Sequence, residues 1–309
     1  MRYSRAIRGL LAASALSAIL ASAEPPAWSK PQAPSKAGTP KALDYAEAQR
    51  FVLGLVNRDR KAAGLGPVVL DEAASKAGVR HARDMAANGF TGHVGSDGSV
   101  PEQRYTESGG SDFVQENAAC LFDLVVRKLD PKPSFDAAKL AALHEMFMAE
   151  KPPNDGHRRN VLNPLHNRLG VGVAQPLGVP QPCLAQEFVD DYGEYDALRA
   201  SASGKLRVAG TVSTSLGFGG VGIGRMPARR APPRDRLNGK VYKIPAPDTL
   251  YFPAGFKTPK PVTVDGPRFD IELELGKKPQ PGNYAVTIWA KQPGSTKLFM
   301  ISLRTLTVR

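Results

Sequence analysis

Apolar and small residues recur at three- and four-residue spacing between Leu43 and Gly64, with Ala48, Val52, Leu55 and Val56 on one face. That period predicts an amphipathic helix, stopped by Gly64 and by Gly66-Pro67. Asp71 is placed to cap a second helix that runs to Asn88-Gly89, a pair suited to a C-terminal stop. A third helix is predicted over Ser134 to Glu150, ended by Pro152-Pro153. Leu169 to Val173 and Cys183 to Val189 are short runs that predict buried strands. Helices mixed with short strands make this part α/β or α+β.

The pattern changes near residue 196. Lys205 to Ser213, Lys240 to Ile244, Phe269 to Leu275, Asn283 to Lys291 and Leu298 to Val308 alternate or are rich in β-branched residues. Turn signals separate them at Asn238-Gly239, Pro281-Gly282 and Pro293-Gly294. Strands at such spacing predict a smaller all-β sandwich, with an immunoglobulin-like arrangement as the expectation. Gly224 to Asp235, rich in Arg and Pro, reads as a long exposed loop. Gly217-Phe-Gly-Gly-Val-Gly222 spells a dinucleotide fingerprint, but no helix follows it, so it reads as a flexible turn.

The N-terminus carries an address. Arg2, Arg5 and Arg8 precede an apolar run from Gly9 to Leu20, and Ala21-Ser-Ala23 offers a cleavage site, the layout of a secretory signal peptide. The apolar run is shorter than the roughly 20 residues a spanning helix needs, and no later segment is apolar enough to span. A secreted protein, periplasmic or extracellular, is expected. The expected organisation is a signal peptide at 1–23, a Pro-rich leader at 24–42, an α/β domain at 43–195 and a basic β domain at 196–309.

Charge separates the same two parts. Residues 24–195 hold 19 Lys+Arg against 22 Asp+Glu, whereas residues 196–309 hold 19 against 7. The whole chain is +12, and its basic character outside the signal peptide belongs to the C-terminal part. Such asymmetry points to an anionic partner for residues 196–309. In an exported protein, envelope polymers or lipid head groups are expected rather than nucleic acid.

Five histidines are candidates for chemistry. His81 lies inside the second predicted helix and is expected to pack in the core. His144-Glu145 lacks the second histidine of a zincin, and His166 follows Asn163-Pro164 in a turn, expected to be structural or solvated. His93, beside Gly92 and Gly95, and His157, after Asn154-Asp-Gly156, fall on irregular backbone, where binding residues concentrate. Their separation in sequence does not by itself join them. No Gly-x-Ser-x-Gly elbow is present, and neither cysteine sits in a catalytic motif.

An ordered set of blocks resembles the CAP superfamily: cysteine-rich secretory proteins, antigen 5 and pathogenesis-related proteins, in their bacterial form. The set comprises Val56-Asn-Arg-Asp-Arg60, Gly64-Leu65, His81-Ala-Arg-Asp-Met85, Gly92-His93, Gln115-Glu-Asn-Ala-Ala119, Gly156-His-Arg-Arg-Asn-Val-Leu-Asn-Pro164, Gly170-Val-Gly-Val173 and Gln186-Glu-Phe188. The resemblance implies a three-layer α-β-α sandwich and a cleft lined by two His and two Glu. Residue by residue, these are His93, Glu116, His157 and, from Phe147-Met-Ala-Glu150, Glu150. Phe147 stands where the family pattern has Trp, and Gln115 where it has Gly.

Two imidazoles with carboxylates beside them can bind Zn²⁺ or another divalent cation, with His93 and His157 as the ligands. The resemblance favours binding of a lipid, sterol or cell-envelope ligand in this cleft without catalysis. The alternative is a metal-dependent hydrolase, a peptidase or esterase, with Glu116 or Glu150 as general base. Cys120 and Cys183 are the only cysteines, and export permits a disulfide between them. Two separate buried thiols are the other arrangement.

Overall fold

A computed structural model describes residues 42–201, 203–239, 242–275 and 281–308. The expected signal peptide and the leader up to residue 41 lie outside the described residues. Contacts join the described residues into one compact unit.

The first half runs β1 (Ala42–Leu43), α1 (Tyr45–Ala62), β2 (Val69–Leu70), α2 (Glu72–Asn88), α3 (Pro101–Glu107), β3 (Phe113–Ala119), β4 (Phe135–Asp136), α4 (Ala137–Ala149), α5 (Gly156–Val161), β5 (Arg168–Ala174) and β6 (Cys183–Asp190). The caps foreseen for α2 are present: the Asp71 side chain accepts from Ala74 N, and Gly89 closes the helix at φ 69°. The third predicted helix begins later than its period implied. Phe135 and Asp136 pair with β1, and Asp136 caps α4.

β2, β5, β6 and β3 form one sheet in that order, antiparallel except for β2 with β5. Alternation along β5 divides the layers. Leu169, Val171 and Val173 join α1 and α4 in one core. Gly170 and Gly172 face α2, where any Cβ would collide with helix backbone. The result is an α-β-α sandwich. Buried Arg60 ties the layers' loops together, donating to the carbonyls of Gly66, Val161, Asn163 and His166.

The second half is built of β7 (Gly193–Tyr195), β8 (Lys205–Val212), β9 (Gly217–Arg225), β10 (Thr249–Tyr251), β11 (Thr263–Asp265), β12 (Arg268–Glu274), β13 (Gly282–Lys291) and β14 (Leu298–Val308). Two antiparallel sheets, β11-β12-β8-β7 and β10-β9-β13-β14, share one apolar core. Val208, Phe269 and Ile271 enter it from one sheet and Val221, Ile288 and Ile301 from the other. This is a sandwich of two four-stranded sheets.

Two expectations for this half are corrected, and the start of a third element is moved. Gly217–Gly222, read as a flexible turn, is part of β9, held between β10 and β13. Its glycines pack where a side chain has no room: a Cβ on Gly222 would meet Thr287 Oγ1 at 2.3 Å. Tyr242 to Ile244 is not a strand, and Lys240 and Val241 lie outside the described residues. The loop expected over Gly224 to Asp235 is present and largely exposed from Pro227 on, but Gly224 and Arg225 still belong to β9 and two of its arginines reach the first half. There the Arg229 side chain meets Asp97 and Glu107, and Arg234 donates to Leu124 O.

Candidate functional site

The edge strand β3 places the site. Its Glu116 side chain is buried and turned toward α2 and α3. Nδ1 of His93, in the loop after α2, lies 2.9 Å from Glu116 Oε1. Arg104 of α3 donates to Glu116 Oε2 at 2.7 Å and to the carbonyl of His93 at 3.1 Å. One guanidinium thus fixes both members of the pair.

A second pair is built from α4 and α5. Nδ1 of His157 lies 2.5 Å from Glu150 Oε1, and the same carboxylate accepts the His157 backbone N–H at 2.9 Å. Asn117, the neighbour of Glu116, donates to the carbonyl of His157 at 3.1 Å and accepts from Asn160 at 3.0 Å. Adjacent residues of one strand therefore serve the two histidines. The imidazoles stand 6.0 Å apart between centroids, and Phe147 packs on His157 at 4.8 Å. His157 is on the first turn of α5, not on irregular backbone as its Asn-Asp-Gly approach implied.

All four residues of the expected tetrad line one cleft of about 600 Å³. Tyr242 and Ile244 of the second half form part of its wall, with Pro101. An ionised carboxylate only accepts, so each imidazole donates through Nδ1, and a neutral ring then keeps its lone pair on Nε2. That is the arrangement in which carboxylates orient histidines for an electrophile. Among the described residues, no group of three or more His, Cys, Asp or Glu side chains is placed to hold a metal ion. An ion here would be held by two imidazoles, with water or ligand completing its shell. A more apolar groove of about 700 Å³, lined by Tyr45, Leu70, Val79 and Val173 among others, contains no histidine.

Behind the cleft lies a buried polar cluster that sequence reasoning missed. The β3–β6 register sets Glu187 directly opposite Glu116. Burial opposes ionisation of Glu116, but Arg104, His81 and His93 outweigh it and hold its carboxyl well below the ordinary value. Burial and then the Glu116 charge push Glu187 well above it, so Glu187 is the neutral partner. Burial also pushes Glu102, beside Tyr242, up to about 7. His81 is buried, and its Nε2 lies 2.6 Å from the carbonyl of Gly92 and 3.6 Å from Glu116 Oε1. Burial, then Arg104, lowers it to about 4. His81 packs in the core as expected, but under the cleft floor. Two signals could have found these groups. Pro101 marks the first turn of α3 and so places Arg104, and pairing the Glu-Asn strand with Gln186-Glu-Phe188 places Glu187.

The remaining histidines hold structure. His144 Nε2 lies 2.8 Å from Asp59, and His166 bridges Asp190 and Asn160. Cys120 and Cys183 are joined by a disulfide at the end of the β3–β6 pair.

A helix-sheet-helix sandwich with two His–Glu pairs along one sheet edge defines a cleft protein of α-β-α architecture. Residues 53–176 match the sequence model of CAP, the cysteine-rich secretory protein family, and this part of the chain is a CAP domain. The fold is similar to an extracellular protein containing an SCP domain from Bacillus anthracis, at 21% identity and a TM-score of 0.36. That match covers 47% of this chain and 40% of the other, so the chain spans less than half of that protein's length. An outer surface protein of Borrelia burgdorferi is matched at 15% identity and a TM-score of 0.37, over 48% of this chain and 97% of the other. No curated protein sequence matches the chain.

Proposed function

We propose that this is an exported binding protein whose two-His, two-Glu cleft takes a divalent cation together with a hydrophobic or envelope-derived ligand. The observation that carries the reading is the pairing of both imidazoles, through Nδ1, to carboxylates, with the rings 6.0 Å apart in one cleft. His93 and His157 would hold the cation through Nε2, and Glu116 and Glu150 would fix ring orientation. When bound, the cation supplies an open position for an anionic or carbonyl group of the ligand. Both carboxylates are occupied by imidazole, so a hydrolytic role would require releasing one; binding is the better reading. Residues 43–195 would act as the cleft domain. Residues 196–309, with their excess of Lys and Arg, would act as a second domain that meets an anionic surface.

Titration calorimetry with Zn²⁺ on the folded parent, His93→Ala and His157→Ala tests the cleft. Each variant is expected to lose most of the affinity, by about ten-fold or more. Parent-like binding by His157→Ala would sink the paired-histidine site.

A further inference from the structure

Between β3 and β4 the chain exposes Phe122 (64%), Val125 (48%) and Val126 (66%). None of the three lines the cleft or the apolar groove described above. Their exposure is not slack. Leu124 takes a left-handed φ of 55°, its N–H donates to Gly89 O at 2.7 Å, and Arg127 N donates to Ala87 O at 2.8 Å. The disulfide at Cys120 pins the loop's start. A braced loop therefore holds apolar tips in water, at a cost that folding alone does not explain.

A separate segment brings cations to this loop. Residues 225–239 contain five Arg and one acid, Asp235. Exposed Arg234 donates to Leu124 O and to Asn88 O, and Asn238 donates to Phe122 O, which docks the segment on the loop. Arg236 and Lys128 are exposed, and the acid within the loop, Asp123, is paired with Arg127.

From this juxtaposition we infer that residues 121–128, with Arg234 docked on the loop and Lys128 within it, insert into the interface of an anionic lipid bilayer. Protruding apolar side chains beside cations fit head groups over acyl chains. A charged polysaccharide would use the cations and leave Phe122, Val125 and Val126 without purpose. The inference rests on the anionic-surface part of the proposed function and is independent of the cleft.

Cosedimentation of the purified protein with phosphatidylglycerol/phosphatidylcholine vesicles tests it, with phosphatidylcholine alone and soluble dextran sulfate as comparisons. The parent is expected to prefer the anionic vesicles. Replacing Phe122, Val125 and Val126 together by Ser is expected to weaken that binding about ten-fold or more while leaving dextran sulfate binding unchanged. Separately, the emission of Phe122→Trp should move to shorter wavelength on the anionic vesicles. Equal vesicle binding by parent and triple variant, or no emission shift in bound Phe122→Trp, overturns the inference. Dextran sulfate binding without vesicle binding overturns it but leaves the anionic-surface reading standing. Binding to neither ends both.

Discussion

Glu116 and Glu187 face each other across the antiparallel pair β3–β6, both withdrawn from solvent, and only one of them is ionised. Two buried carboxylates at a cross-strand position cannot both carry charge. Arg104 decides which does, because its guanidinium meets Glu116 and not Glu187. Isosteric changes should therefore have opposite consequences. Glu116→Gln leaves Arg104 buried without its counter-ion and is expected to cost about 3–5 kcal/mol in urea unfolding. Glu187→Gln removes a carboxyl that must hold its proton, and is expected to be neutral at low pH and stabilising at pH 8. Equal destabilisation by the two would contradict the assignment.

Two glycines in neighbouring elements make a second contrast. A Cβ on Gly172 would stand 1.9 Å from the Gly78 carbonyl carbon in α2, whereas one on Gly54 in α1 would meet nothing within 4 Å. Gly172→Ala must push α2 off the sheet and is expected to destabilise by about 3 kcal/mol. Gly54→Ala should stabilise by about 1 kcal/mol, from lower backbone entropy in the unfolded chain. Thermal unfolding of both variants beside the parent measures this.

How much of this was legible in the sequence follows the range of the interactions concerned. The ends of α2 were readable because Asp71 and Gly89 act on backbone groups a few residues away. The strands around Leu169 and Cys183 were readable from their apolar positions, although the buried Gln186 and Glu187 interrupt the second run. β9 was not, since four of its glycines answer to close neighbours on β10, β13 and the flanking loops, which no local period records. α3 is too short to show a period. The pairing of His93 with Glu116, and of His157 with Glu150, joins side chains on different elements, so only the family pattern anticipated which four residues meet. Arg104, His81, Glu102 and Glu187 stayed hidden because their roles depend on what surrounds a buried carboxylate.

The link between Cys120 and Cys183 closes a separation of 63 residues that includes α4, α5 and β5. Closing so long a loop in the unfolded chain is worth about 4 kcal/mol by chain entropy. Mass analysis of unfolded, unreduced protein should find no alkylatable thiol, and reduction should lower the urea midpoint clearly. Two free thiols in the unreduced chain would show that the link does not form.

Glu102 connects the cleft wall to pH. Its carboxyl is buried against Tyr242 and pushed by that burial from 4.5 to about 7, with Tyr242 and Arg104 opposing the shift. A carboxyl whose folded value is raised binds a proton more readily in the native state than in the unfolded one. Its contribution to stability is therefore full below about pH 4.5, declines as pH rises, and is lost once pH passes about 7. By linkage the loss is on the order of 3 kcal/mol. His81, lowered to about 4, acts in the opposite sense, removing stability as pH falls from 6.5 toward 4, so the parent's profile alone does not isolate Glu102. The informative quantity is the difference between parent and Glu102→Gln. Urea unfolding should show the variant gaining on the parent between pH 5 and pH 8, by on the order of 3 kcal/mol. Tyr242→Ala should open the carboxyl to water, return it toward its ordinary value and shrink the same difference. A gap that does not change between the two pH values would mean that Glu102 ionises without cost, and that Tyr242 does not seal this side of the cleft.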